Sequence, residues 1–231
     1  MDLAEQLSRE LGLRQTQVAA AVDLMDQGNT IPFIARYRKE ATGSLDDVQL
    51  RDLEDRLTYL RGLEKRREEV LALVEAQGKL TEELRAAVLA APTLAVVEDL
   101  YRPYKQKRKT RAGVAREKGL EPLALAIRAQ DTLAEPLALA GAFADPEKGV
   151  ETPEEALQGA LDIIAEDLSD DAGLRGEVRR LIQAEGAVAS TGDSRENQTY
   201  ALYYDFSQSV KKIAPHQVLA IHRGEKEGFL K

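Results

Sequence analysis

Cysteine and tryptophan are absent from the chain. That excludes disulfide staples, thiolate catalysis and cysteine-ligated zinc. Histidine is scarce, with only His216 and His222, so imidazole acid–base chemistry has little to work with. No run approaches the roughly 18 uncharged apolar residues of a membrane helix. The N-terminal stretch MDLAEQLSRELG is charged where a secretory signal is apolar, and a cytoplasmic protein is expected. A G-x-S-x-G elbow, H-E-x-x-H, a Walker A loop and a dinucleotide loop are all missing. No catalytic residue, metal site or cofactor is expected.

What remains is enough to fold. The 231 residues are 43% hydrophobic and 31% charged, which suits one large or two small domains. The net charge of −8 is unevenly spread. Residues 1–118 carry 21 Lys+Arg against 20 Asp+Glu, whereas 119–185 carry 5 against 15. Within the first block, Tyr101–Lys118 holds eight cations and one acid, Glu117.

The apolar period is helical nearly throughout, so the fold class is all-α. Leu3, Leu7 and Leu11 line a first helix that Gly12 stops, and Val18, Val22 and Met25 line a second ending at Gly28. Pro32 opens a short third helix, Ile31–Glu40, before Gly43. Three short helices with tight connections form a helix-turn-helix-like head. Its third helix carries Ile31, Phe33, Ile34 and Tyr37, so it is expected to be mainly buried and structural. Arg36 and Lys39, with Glu40 adjacent, read as a salt-bridged surface.

Ser44 is expected to cap one long helix, with Asp47 three residues on. Leu50, Leu53, Leu57 and Leu60 form its seam; Glu64 and Arg67 interrupt it, and Leu71 and Val74 resume it. Shorter helices follow, among them one opened by Thr152-Pro153-Glu154-Glu155 and one capped by Ser169, Asp170 or Asp171 and ending at Gly186. Residues 187–209 read as a loop plus a short helix, and Val218–Ile221 and Gly228–Leu230 as helix or the start of a hairpin. Three regions are expected: a head plus long helix over 1–78, a helical region over 79–186 and an irregular tail over 187–231.

One segment is richer in cations than a helical core requires. Tyr104, Lys105, Lys107, Arg108, Lys109 and Arg111 combine long cationic side chains with a flat ring, the chemistry that holds phosphates and bases. Tyr101 offers a second ring. Two other readings stand beside it: a solvated loop, or a loop docked on the acidic stretch 145–171 of the same chain. Asp162, Glu166 and Asp170, spaced four apart, read as a solvated helix face rather than a metal site, because nothing makes them converge with other carboxylates.

Two longer strings carry a family resemblance: TIPFIARYRKEATGSLD (30–46) and EDLYRPYKQKRKTRAGVAREKGLEPLA (98–124). With VKKIAPHQVLAIHRGEKEGFL (210–230), they resemble signature stretches of the bacterial Tex family of transcription accessory proteins. Family members usually have Leu at Arg102 and Pro at Gln106, so this loop is more basic and less rigid. The resemblance is to the family's N-terminal helical part; its RNase H-like, helix-hairpin-helix and OB-fold domains have no counterpart here. The family is similar to the core of a eukaryotic transcription elongation factor. The resemblance implies a non-enzymatic module that binds RNA or DNA in transcription alongside the remaining domains of a longer protein. The alternative is a scaffold that docks RNA polymerase or another partner, its basic loop packed internally.

Overall fold

The computed structural model describes residues 3–130, 134–192 and 198–231. Among the described residues the chain is all-α apart from one two-stranded sheet, and it divides into two units, 1–101 and 102–231.

The first unit runs α1 (Leu3–Leu11), α2 (Gln15–Asp26), α3 (Ile31–Tyr37), α4 (Lys39–Thr42), α5 (Asp47–Glu75), α6 (Glu82–Ala90) and α7 (Leu94–Tyr101). Gly43 and Ser44 both take left-handed backbone angles, with φ of 59° and 67°. A helix cap needs extended backbone instead, so the cap of α5 falls on Asp46 rather than on Ser44. Its carboxylate accepts from Gln49 N at 2.8 Å, and Gln49 Oε1 accepts from Asp46 N at 3.1 Å. This is a capping box two residues later than the sequence suggests. The turn is tied to α2 by Gln17, whose amide donates to the carbonyls of Thr42 and Gly43.

Helix α5 has 29 residues, so it is about 43 Å long. Leu50, Leu53, Leu57, Leu60, Leu63, Val70 and Val74 form its buried stripe, each contributing roughly 1.5–3 kcal/mol of apolar burial. Leu63 and Val70 continue the stripe where a break is expected. Arg67 is tolerated beside it because its guanidinium donates to Glu64 and to the carbonyl of Ala91, both at 2.7 Å. Tyr101 is buried, with the Arg66 guanidinium 5.4 Å above its ring.

In the second unit a 3-10 turn (Arg102–Tyr104) leads through 105–110 to α8 (Arg111–Glu117), α9 (Glu121–Ala129) and α10 (Pro136–Ala140). Then come α11 (Pro153–Asp170) and α12 (Ala172–Glu185). Thr152 caps α11 by accepting from Glu155 N, and Asp171 caps α12 by accepting from Leu174 N at 2.7 Å. Helices α8 and α11 pack through small residues, with Ala112, Ala115, Ala156 and Ala160 all buried. At Gly159 a side chain would overlap the Leu120 methyl and stand 3.2 Å from the Ala115 Cβ.

Regular structure continues within 187–192 and 198–231. Strand β1 (Ala187–Thr191) pairs antiparallel with β2 (Asp205–Ser209), from Ala187 opposite Ser209 to Thr191 opposite Asp205. A 3-10 helix (Gln198–Tyr203) lies between the strands in sequence. The loop read at 187–191 is thus a strand, one whose sequence AVAST lacks the bulky side chains that announce one. Val218–Ile221 fall within α13 (Pro215–Lys226), and Leu230 bridges back to Gly192. Tyr200, Tyr204 and Leu230 form a small buried cluster, and the Tyr200 hydroxyl donates to Glu227 at 2.7 Å.

Candidate nucleic-acid interface

The basic segment is held at both ends by local chemistry. Pro103 sits in the 3-10 turn, and Thr110 Oγ1 accepts from Gly113 N at 2.9 Å, capping α8. Residues 105–110 between them belong to no helix or strand. Facing the segment is α11, whose Asp162, Glu166 and Asp170 stand at four-residue intervals, about 6 Å apart along the axis.

This row is not a solvated face. Its side chains are only 15%, 17% and 13% exposed, and cations fifty or more residues earlier pair with them. Arg116 reaches Glu166 at 2.6 Å and Asp167 at 2.7 Å. Lys107 pairs with Asp170 and lies 3.3 Å from Glu166. Arg102 donates to Asp170 at 2.9 Å, and Arg111 stands 3.6 Å from Asp162. Burial pushes the Glu166 carboxyl up, but hydrogen bonds from Arg116, Thr110 and Lys107 outweigh it and hold the group below its ordinary value.

The expected site residues therefore divide. Lys107 and Arg111 are drawn toward α11 and partly neutralised. Lys105, Arg108 and Lys109 are exposed, and none is ion-paired among the described residues. Tyr104 is half-buried beside them. Tyr101 is unavailable as a stacking face, because it is buried under Arg66. An open groove of about 640 Å³ lies here, with Lys105, Arg108 and Lys109 among its lining and Glu166, Asp167 and Asp170 opposite. The groove presents both charge signs.

No group of carboxylates and histidines suited to a metal ion occurs among the described residues. His216 and His222 are both exposed on α13. No helix among the described residues is long and apolar enough to cross a membrane.

Comparison with known proteins matches residues 1–75 to the Tex-like protein N-terminal domain and residues 131–231 to the Tex central region. Together these cover about three-quarters of the chain. The chain belongs to the Tex family. It is 46% identical to the protein named tex of Bordetella pertussis over 97% of its length. It is 42% identical over its whole length to the transcriptional accessory protein Tex of Neisseria gonorrhoeae. A human relative, S1 RNA-binding domain-containing protein 1, is 31% identical over 97% of the chain. These matches take in 29%, 30% and 23% of the relatives' own lengths, so the chain spans less than a third of each. The exposed 105–109 edge and α8 lie between the two matched segments.

Proposed function

We propose that this chain is a non-enzymatic, cytoplasmic module of a Tex-like transcription accessory protein and contributes weak, sequence-indifferent contacts to RNA or DNA. The observation that carries the reading is the set of Lys105, Arg108 and Lys109, exposed and unpaired while their neighbours are neutralised. Unpaired cations on an exposed edge release counterions when they meet phosphates. Lys107 and Arg111 act as staples that hold the edge in place, with Tyr104 beside it as a ring for an unstacked base. Three phosphate contacts on a single strand give a log–log salt slope of about −2, and affinity on the order of 10⁻⁴ to 10⁻⁶ M. The acids of α11 keep it at the weak end.

A second reading is supported by the same ion pairs: the loop is an internal structural contact and the module docks RNA polymerase or another protein. Anisotropy titration with labelled RNA and duplex DNA at two salt concentrations separates the two. On the first reading, Lys105→Glu, Arg108→Glu and Lys109→Glu together weaken binding at least tenfold and flatten the salt slope while the melting temperature holds. Unchanged binding, or a melting temperature that drops by many degrees, favours the scaffold.

A further inference from the structure

A second cationic patch lies in the first unit, and its chemistry differs from that of the loop. Ile31 and Ile34 turn inward from α3 and are buried. Phe33 and Tyr37, four residues apart, share the opposite face. They are 36% and 62% exposed, so the expectation of a mainly buried third helix holds for the isoleucines and fails for the rings. Of the chain's eleven aromatic side chains, seven Tyr and four Phe, only these two are exposed. They are also neighbours: the ring centroids are 5.4 Å apart, tilted by 45°, and the Arg38 guanidinium lies 5.2 Å over the Phe33 ring.

The cations around the rings are unneutralised. The helix breaks at Arg38, which ends α3 and precedes α4, so Arg36 and Lys39 sit on different helices rather than on one salt-bridged face. All three cations are exposed, and among the described residues none is ion-paired with a carboxylate. The exposed area of two adjacent rings costs apolar hydration. An aromatic platform rimmed by cations is what a single-stranded nucleic acid requires, since every base has a π-face and every linkage a phosphate.

From this geometry we infer that Phe33, Tyr37 and Arg38 form a base-stacking site for single-stranded nucleic acid, with Arg36 and Lys39 on its phosphates. The site shares no residue with the 105–109 edge and stands whether or not that edge binds. Because the bases of a duplex are stacked on one another, double-stranded nucleic acid gains little from it.

The test uses the full chain carrying Lys105→Glu, Arg108→Glu and Lys109→Glu, so that the loop is silenced. A labelled oligouridylate and an abasic strand of equal length are titrated by anisotropy at low salt. The loop-silenced chain is expected to retain oligouridylate binding. Adding Tyr37→Ala weakens that binding about five- to tenfold, whereas Tyr37→Phe stays within about twofold because the ring remains. Abasic-strand binding is indifferent to Tyr37→Ala and falls with Arg36→Glu and Lys39→Glu. The inference is overturned if the loop-silenced chain does not bind oligouridylate. It is overturned equally if alanine and phenylalanine at position 37 behave alike, or if Tyr37→Ala weakens both strands equally. Thermal melting accompanies each titration, and a Tyr37→Ala variant that melts well below its parent marks the ring as structural and also overturns it.

Discussion

Leucine carries the packing along α5 in the first unit, whereas alanine and glycine carry the packing of α8 on α11 in the second. The consequence is electrostatic. Small residues let α8 and α11 approach closely, so the long cations at the rim of α8 reach the acids of α11. In the first unit Arg36, Arg38 and Lys39, on α3 and just beyond it, meet no such row, and among the described residues none of them is ion-paired. The same residue types, Lys and Arg, thus end as structural staples in one place and as free charge in another, and the packing beneath decides which.

The largest expected effect breaks the leucine side of this contrast. Leu53 is fully buried, so Leu53→Ala should cost about 2–5 kcal/mol. Denaturant unfolding followed by circular dichroism measures it, and a loss below about 1 kcal/mol would show that α5 is not the organiser of its unit. Next is the small-residue side: Gly159→Val should cost about 1–3 kcal/mol by forcing α8 off α11. It should also make stability less salt-sensitive, because the rim pairs separate with the helices.

A smaller effect comes from pH. Because the folded carboxyl of Glu166 titrates below its ordinary value of 4.5, its contribution is present above pH 4.5 and is lost as pH falls through the folded value. Glu166→Gln should therefore lower the melting temperature near neutrality, by about 1 kcal/mol of stability, and the gap to the parent should narrow below pH 4.5. The smallest effect belongs to the free edge. Lys105→Glu, Arg108→Glu and Lys109→Glu should change stability by no more than about 0.5 kcal/mol, whereas Lys107→Glu, which places a third carboxylate beside Glu166 and Asp170, should cost clearly more.

The helical architecture was legible because a buried stripe repeats every three or four residues, and Leu50 through Leu60 announce it whatever they pack against. Caps were legible where side chain and backbone agree, as at Thr152 and Asp171. At Ser44 they disagree, because the left-handed turn at Gly43 continues one residue further than composition reveals. The site was half legible. The density of cations at 105–111 marked the loop, yet an i, i+4 row of acids looks the same in sequence whether it faces water or Arg116 fifty positions earlier. Phe33 and Ile34 illustrate the same limit at shorter range: adjacent apolar residues point to different faces, and only the neighbours determine which is covered. The pairing of β1 with β2 was hidden for want of bulky residues in AVAST.

The separation of Arg116 from Glu166, fifty residues along the chain, also fixes an order of events during synthesis. At about 5–20 residues per second, roughly 3–10 s pass between the emergence of α8 and that of the acids that cover it. Throughout that interval Lys107, Arg111 and Arg116 lack the carboxylates of α11, so the growing chain carries positive charge that the finished fold neutralises more fully.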